Sequence, residues 1–250
     1  MNKDQIIIIG GGLIGLATAN ALLDRGEKVL VLERNTETAS AASFANAGML
    51  TPSQSTPWNS SSDIAYILSG IGRKDSPMSV SFGALHSYLF WGLRFILNST
   101  PKRFEKISRD IFSLAKFSKD LTQKIRLSEE FSYDESTDGT IKLFRNDERF
   151  QKAIALSARL YGESNNIEVL NQKEVVELEP ALNKSRKGLI GGIYYKDDEI
   201  GDAYKFCKAL EETVRKKGGR ILVNTNIKKI LLHKRKVNSV VTDRAVLQAK

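Results

Sequence analysis

Six residues near the N-terminus have the types and the spacing that bind a dinucleotide pyrophosphate. They fit the pattern G-x-G-x-x-G and are Gly10, Gly11, Gly12, Leu13, Ile14 and Gly15. In this pattern the first glycine permits a tight turn, the second lets the main chain approach the pyrophosphate, and the third lets a helix pack closely on a sheet. A helix that starts at such a turn presents N–H groups and a partial positive charge to the phosphates. The alternative is a glycine-rich turn with only a structural role.

Two charged residues, about 20 positions further on, narrow the choice of dinucleotide. Glu33 follows the next apolar run, where a carboxylate can accept hydrogen bonds from ribose hydroxyls. Because that carboxylate repels a 2′-phosphate, NADP is disfavoured, whereas NAD and FAD both stay open. Arg34, the next residue, is either a contact on the adenine side or a solvated charge.

The elements around these residues predict a βαβ unit. Gln5 to Ile9 is a short apolar run, typical of a strand buried on both faces of a parallel sheet. Leu16 to Arg25 predicts a helix that ends at Gly26, and Lys28 to Leu32 predicts a second strand. From Asn35 to Ser62 the chain is rich in small and polar residues, which indicates a long loop. A loop of that length within a compact domain is commonly functional.

The rest of the chain predicts further helices and strands. After the loop, Pro101 separates two helical patterns. The predicted helices are Gly83 to Leu97, Phe104 to Ile125, Asp147 to Gly162 and Gly201 to Lys217. The predicted strands are Thr140 to Phe144, Gly191 to Tyr195 and Arg220 to Val223, with a closing hairpin of Val237 to Thr242 and Ala245 to Leu247.

The composition excludes several classes of protein. The chain has 250 residues, of which 41% are hydrophobic and 27% charged, and its formal net charge is +9. The single cysteine, Cys207, excludes an internal disulfide framework, and the two histidines lie too far apart for a metal-ligand pair, so we expect no metal site. The basic residues are scattered and lack interleaved aromatics, so we expect no nucleic-acid partner. No run has the 18 or more apolar residues of a membrane span, so we expect a cytoplasmic protein.

The loop after Glu33 resembles that of a known family. The segments Ala42 to Pro52 and Thr56 to Trp58 resemble the flavin-cradling loop of FAD-dependent amino acid oxidoreductases. The superfamily is that of D-amino acid oxidase, and the chain is similar within it to the bacterial D-amino acid dehydrogenase small subunit family. Glycine oxidases share Ala47 to Leu50, so a glycine- or sarcosine-type FAD amine oxidase stays open as an alternative. Three further segments resemble the dehydrogenase family in the same order: Gly139 to Arg145, Glu177 to Leu182 and Asp198 to Asp202.

The resemblance implies FAD as the cofactor, with its pyrophosphate over the turn from Gly10 to Gly15 and its adenosine ribose at Glu33. Small residues in the loop would let the main chain approach the planar flavin, and Gly48 tolerates positive φ. Ile227 would offer its main-chain amide to the adenine, although an ordinary core isoleucine is an equal alternative. The residues implied along the ribityl chain and the isoalloxazine ring are Ser43, Asn46, Ala47, Gly48 and Met49. The alternative for this stretch is an ordinary polar surface loop.

The activity implied by the resemblance is oxidative deamination of D-alanine-like amino acids to 2-oxo acids and ammonia, by hydride transfer to the flavin. The implied partners are a small amino acid substrate, a membrane electron acceptor or the membrane surface, and a separate C-terminal fragment. In this family the substrate-binding cation and the second flavin-binding stretch come from a C-terminal part that these 250 residues lack. We therefore assign no catalytic residue. Two alternatives stay open: a truncated or split-gene fragment without activity alone, and an NAD-binding dehydrogenase.

We expect an α/β fold, in which a Rossmann-like FAD-binding domain with a parallel sheet flanked by helices carries an inserted α+β substrate domain. The predicted boundaries are residues 1–58 for the first part of the FAD-binding domain, 59–195 for the substrate domain and 196–250 for the returning part. Within the substrate domain, Leu85 to Leu97 precedes the basic pair Lys102-Arg103. This helix could lie on an anionic membrane surface, but its nearly continuous apolar character favours a buried helix.

Overall fold

Three parallel strands form the sheet that carries the glycine turn. The structure is a computed structural model that describes residues 5–59, 85–162 and 164–249. Strand β1 (Ile6–Ile9) pairs with β2 (Val29–Leu32), and β2 pairs on its other side with β8 (Arg220–Leu222). All four residues of β2 are buried, as expected for the central strand of a parallel sheet. The α/β fold predicted from the sequence is therefore present.

Strand β1 differs from the prediction that it is buried on both faces. Among the described residues β1 pairs with β2 alone, and Ile9 at its end is 49% exposed. β-branched residues favour a strand wherever one face is packed, so four isoleucines do not distinguish an edge strand from a central one. The prediction of a strand is confirmed, and the prediction of its burial is wrong.

Helices and a second sheet cover the two faces of β2. Helices α1 (Leu13–Leu23) and α6 (Ala203–Lys216) pack against Val29 and Val31. On the opposite face, Leu30 and Leu32 pack with residues of an antiparallel sheet. That sheet consists of β9 (Ile227–His233), β10 (Lys236–Thr242) and β11 (Val246–Gln248). The predicted closing hairpin is confirmed as β10 and β11, whereas β9 was not predicted.

The chain groups into two compact units. The first contains Met1–Leu50, Gln123–Ser136 and Glu199–Lys250, and the second contains Thr51–Thr122 and Thr137–Asp198. Residues 123–136, which the sequence assigns to the inserted domain, thus group with the first unit. The units are groups of residues that lie close together in space, and such groups do not test domain boundaries. The predicted domains (1–58, 59–195 and 196–250) therefore stay a prediction.

The second unit has its own antiparallel sheet. Strand β6 (Gly191–Tyr195) lies between β4 (Thr140–Phe144) and β5 (Ile167–Asn171). Helix α4 (Asp147–Tyr161) packs on this sheet, and Asn146 caps its start, since the Oδ1 of Asn146 accepts the N–H of Arg149 at 2.9 Å. The other α-helices among the described residues are α2 (Leu85–Leu97), α3 (Pro101–Glu129) and α5 (Gln172–Leu178).

Two helices differ from their predictions. The predicted start of α2 at Gly83 lies outside the described residues. Helix α3 begins at Pro101, because proline has no N–H to leave unsatisfied in a first turn. The expectation that α2 is buried is wrong for its described side chains, since Phe90 is 69% and Trp91 52% exposed. In the described part of the chain, no helix combines the length and the apolar character needed to cross a membrane.

Candidate cofactor site

The glycine turn between β1 and α1 requires glycine at two positions for reasons of geometry. Gly10 has φ +103°, a conformation that side chains disfavour, and its N–H donates to the carbonyl of Leu32 at 2.8 Å. A Cβ atom on Gly15 would overlap the carbonyl oxygen of Gly10. Gly15 therefore lets α1 start directly on the turn.

The first turn of α1, which follows the glycine turn, carries no acidic residue. Gly12 precedes the helix and supplies no side-chain cap. The N–H of Leu13 donates to the Oγ of Ser43 at 3.1 Å, so the loop after β2 contacts the helix start. A helix start of this kind favours an anionic ligand, because its first turn has N–H groups without a partner in the helix and a partial positive charge, and carries no acidic side chain of its own.

Glu33 joins the glycine turn to the end of β2. Its side chain is buried, with the residue 8% exposed, and its two carboxylate oxygens accept the N–H groups of Gly11 at 2.8 Å and Asn35 at 2.9 Å. Its own N–H donates to the carbonyl of Leu222 at 2.8 Å. A carboxylate has about four lone-pair positions, so both oxygens keep acceptor capacity for a ligand hydroxyl.

A cavity of about 480 Å³ opens beside these groups within the first unit. Of the predicted site residues, six line it: Gly10, Gly12, Glu33, Arg34, Ser43 and Ile227. Gly11 and Leu13 do not line the cavity, but their N–H groups donate to Glu33 and Ser43, which do. The remaining cavity residues, which the sequence did not single out, are Ile9, Leu32, Asn35, Ala39, Ser40, Ala41, Ala42 and Asn226. Most of them lie in the loop after Glu33, and the small, polar residues of that loop are the sequence feature from which they could have been predicted.

The loop from Asn46 to Met49 lies outside that cavity wall. The Oδ1 of Asn46 accepts the N–H of Gly48 at 2.7 Å, which forms a tight turn within the loop. Gly48 has φ +61°, as the sequence predicts, and a Cβ there would overlap the carbonyl oxygen of Gly201. The side chains of Asn46, Ala47 and Met49 are exposed, so the loop leaves a free surface beside its main chain. Ile14, in the first turn of α1, is also exposed.

The partly buried Glu211 and the buried Cys207, both on α6, lie behind the loop that follows β2. The hydroxyl of Thr38 donates to the Glu211 carboxylate on α6, and the N–H of Ala39 donates to the carbonyl of Gly11 at 3.0 Å. Burial alone would raise the pKa of Glu211, but hydrogen bonds from Thr38 and neighbouring cations outweigh it and lower that pKa. Burial raises the pKa of the Cys207 thiol to about 11, so this thiol is neutral near pH 7.

The fold and the site define an α/β protein with a dinucleotide-binding turn. The family model described as FAD dependent oxidoreductase (DAO) matches residues 5–249. The chain belongs to this family of FAD-dependent oxidoreductases, and FAD is the cofactor that the family uses.

Relatives of known name match along nearly the whole chain. A D-amino acid dehydrogenase of Vibrio vulnificus (strain YJ016) is 29% identical over 248 residues, which are 98% of this chain and 59% of that protein. A D-amino acid dehydrogenase of Bradyrhizobium diazoefficiens is 30% identical over 245 residues, which are 98% of this chain and 58% of that protein. The chain thus spans less than two thirds of the length of the relatives that it matches.

Solved structures share the fold. Glycine oxidase from Bacillus cereus ATCC 14579 superposes with a TM-score of 0.62 at 23% identity, over 98% of this chain and 53% of that one. An L-amino acid deaminase from Proteus myxofaciens superposes with a TM-score of 0.68 at 17% identity, over 98% of this chain and 43% of that one. At these identities the likeness supports the fold alone.

The described residues fit FAD by the chemistry of their donors and by the space they leave. A Cβ on Gly10 would meet no protein atom within 4 Å, and this glycine lines the cavity, so the turn offers bare main chain to a ligand. The helix start suits a pyrophosphate and the Glu33 carboxylate suits ribose hydroxyls. In the parts of the chain that the structure describes, no three His, Cys, Asp or Glu side chains are placed to hold a metal ion.

Proposed function

We propose that this chain provides the cofactor-binding portion of an FAD-dependent dehydrogenase of D-amino acids. The observation that carries the proposal is the meeting of the Gly10 turn, the start of α1 and the Glu33 carboxylate at one cavity, in a chain of this family. The names of the relatives support D-amino acids as the substrate class. When bound, FAD would supply the hydride acceptor for oxidation of the amino acid, and after hydrolysis the products would be a 2-oxo acid and ammonia.

The roles proposed for the chain's own residues are binding and orientation. The main chain of Gly10 to Gly15, including Leu13 and Ile14, holds the pyrophosphate. Glu33 accepts ribose hydroxyls on the lone pairs left free by Gly11 and Asn35. Ser43 and the main chain of residues 46–49 pass along the ribityl chain and the flavin ring, while Arg34 and the amide of Ile227 lie on the adenine side. The proposed FAD-binding domain comprises residues 1–58 and 196–250, with the substrate domain between them.

Turnover is proposed to require a segment equivalent to the part of the relatives that lies beyond the match, in the same polypeptide or in a separate one. The support is the coverage, since this chain corresponds to 59% of the Vibrio vulnificus relative. We place none of the described side chains in the hydride-transfer step. Binding of FAD and turnover of substrate are therefore separable properties of the chain.

The test measures both properties in turn. Titration of FAD into the purified chain is expected to give a saturable change in flavin fluorescence and a bound flavin absorbance spectrum, with no comparable binding of NADH. Dye reduction is then measured with D-alanine, L-alanine, glycine and sarcosine, with and without the C-terminal segment of a relative. A chain that ignores FAD contradicts the proposal, and preference for glycine or sarcosine favours the amine oxidase alternative.

A second proposal concerns an aromatic patch that we define by Trp58, Phe90, Trp91 and Phe95. The rings of Trp91 and Phe95 stack with their centroids 5.0 Å apart, and the ring centroid of Trp58 lies 5.1 Å from that of Phe95. Arg94 lies over the Phe90 ring at 4.5 Å. Aromatic side chains beside cations suit an anionic lipid surface, so we infer that this patch contacts such a surface. The proposed localisation is therefore peripheral, on the inner face of the cell membrane, near a membrane electron acceptor.

Vesicle sedimentation tests the patch. The chain is expected to sediment with vesicles containing phosphatidylglycerol and to stay in solution with vesicles of phosphatidylcholine alone. Replacement of both Phe90 and Trp91 by serine is expected to abolish sedimentation. Phe117→Ser is the matched control, because Phe117 is also exposed but lies on α3. Equal binding to both kinds of vesicle contradicts the proposal, as does binding that the double replacement leaves unchanged.

A further inference from the structure

Residues 123–136 bring a buried ion pair into the first unit. Glu199, the first residue of β7 (Glu199–Ile200), is 2% exposed, and its carboxylate accepts hydrogen bonds from the Nη1 of Arg126 at 3.1 Å and from the Nε2 of Gln123. The Arg126 side chain is itself largely buried. A buried carboxylate stays charged only where an opposite charge and hydrogen bonds replace its hydration. The pair therefore depends on the placement of β7 beside the end of α3.

The same segment holds β7 through its main chain and through an aromatic ring. The N–H of Ser136 donates to the carbonyl of Ile200, and the N–H of Ile200 donates back, both at 3.0 Å. The ring of Tyr133 fills the space beside Gly201, where a Cβ would overlap it. The Nη1 of Arg126 donates to the Tyr133 hydroxyl at 3.4 Å. The ion pair thus holds Glu199, the main-chain bonds hold Ile200, and the Tyr133 ring packs against Gly201.

The opposite edge of β7 holds the loop that we propose to contact the flavin. Strand β3 (Met49–Leu50) pairs antiparallel with β7, with Leu50 opposite Glu199. The N–H of Gly201 donates to the carbonyl of Gly48 at 2.8 Å. Strand β7 therefore lies between the segment Gln123–Ser136 and the loop from Asn46 to Met49.

We propose that Arg126 and Glu199 are positioning residues for the flavin-contacting loop, with Tyr133 as their support. This inference rests on the proposed function, because it assigns the loop to FAD. A charge left alone in this interior draws water or a new partner towards it, which displaces β7 and with it the carbonyl of Gly48. The sequence assigned residues 123–136 to the inserted domain, and on this proposal that insertion completes the cofactor site of the first unit.

A double-mutant cycle tests the proposal by two readouts. Arg126→Met and Glu199→Met are each expected to raise the Kd for FAD at least tenfold and to speed amide hydrogen exchange at Gly201 at least tenfold in the cofactor-free chain. The double replacement Arg126→Met/Glu199→Met removes both buried charges and is expected to restore most of both values. The second carboxylate near Arg126, that of Glu135, is partly exposed and keeps its hydrogen bonds from Ser132 and Tyr133. A pair that adds only to general stability would change the unfolding midpoint but would leave the Kd for FAD unchanged at a temperature where the variants are folded.

Ser157→Ala is the matched control, because it removes a buried hydrogen bond of 2.8 Å to the Tyr195 hydroxyl in the second unit. It is expected to lower the unfolding midpoint and to leave the Kd for FAD and the exchange at Gly201 unchanged. Single variants that keep the wild-type Kd at a temperature where they are folded overturn the proposal. A wild-type chain that binds no FAD contradicts the proposed function instead, and the exchange data then decide alone whether the pair holds the loop.

Discussion

The carboxylate of Glu33 accepts the main-chain N–H of Gly11 at 2.8 Å, so the residue that ends β2 also fixes the glycine turn that ends β1. A second bond, from the N–H of Asn35, fixes the carboxylate itself. The acid therefore has a structural partner before any ligand arrives. A preorganised acceptor of this kind reduces the ordering cost of binding.

Replacement of Glu33 by glutamine is expected to weaken FAD binding about tenfold, or about 1.4 kcal/mol. The glutamine Oε1 can accept one of the two main-chain hydrogen bonds, and its NH₂ group then faces a second N–H. Fluorescence titration of FAD measures the change. Glu177→Gln on the exposed surface of α5 is the control and is expected to have no effect. An unchanged Kd for the Glu33 variant would show that this carboxylate does not contribute to the site.

Two glycine-to-alanine replacements are expected to have opposite effects on the free energy of unfolding. Gly15→Ala places a Cβ on the carbonyl oxygen of Gly10, so we expect a loss of about 1–3 kcal/mol and weaker FAD binding. Gly92→Ala in α2 meets open space, so we expect a gain of about 0.5–1 kcal/mol from helix propensity. Urea unfolding measures both. A Gly15→Ala variant as stable as the wild type would contradict the contact between Gly15 and Gly10.

We predict that Glu211 stabilises the folded chain at neutral pH and that this stabilisation disappears in acid. Its pKa in the folded chain lies below the ordinary value of 4.5, because hydrogen bonds from Thr38, Arg215 and Lys208 outweigh the effect of burial. The stabilisation is therefore fully present above pH 4.5 and is lost as the pH falls through the lowered pKa. Glu211→Gln is expected to lower stability at pH 7 and to approach the wild type at low pH.

Urea unfolding of wild type and variant at several pH values measures that difference. Glu148→Gln is the control, since the pKa of Glu148 is also lowered, by Lys152, but on an exposed helix surface where ion pairs contribute little. A wild-type advantage that grows as the pH falls would contradict the sign of the prediction.

Cys207 is expected to resist thiol reagents in the folded chain. Its side chain is fully buried, and burial raises its pKa to about 11, so at pH 8 it is a neutral thiol without access to solvent. Dithionitrobenzoate is expected to release one equivalent of chromophore only after guanidinium is added, because the chain has one cysteine. Rapid release from the folded protein would show that α6 opens or that the thiol is accessible.

The sequence predicts those parts of the site that are local in the chain. The tight turn at Gly10 follows from residue types over a few positions and is present, and Gly48, which the sequence shows to tolerate positive φ, has φ +61°. The edge position of β1 could not be predicted in this way, since burial of Ile9 depends on what packs against it. The link from Thr38 to Glu211 and the pairing of Arg126 with Glu199 join distant positions, and no local pattern encodes them.

Residues with unexpected roles lie where two distant segments meet. Asn226 lines the cavity beside Ile227, although nothing in its neighbourhood distinguishes it from a surface asparagine. Strand β9 was not predicted because the Lys228-Lys229 pair interrupts its apolar pattern. It is a strand because it pairs with β10, which its own sequence does not reveal.

The contact between Gly48 and Gly201 has a consequence for the order of folding. These glycines lie far apart in the chain, and so do Leu30 and Arg220, which pair in the parallel sheet. Contacts between such distant positions form slowly, because loop closure costs entropy before the contact is gained. During synthesis the apolar strands beside the glycine turn therefore stay without these partners at least until Arg220 has left the ribosome. A chaperone that shields Ile6–Ile9 and Val29–Leu32 in that interval would raise the yield of folded protein.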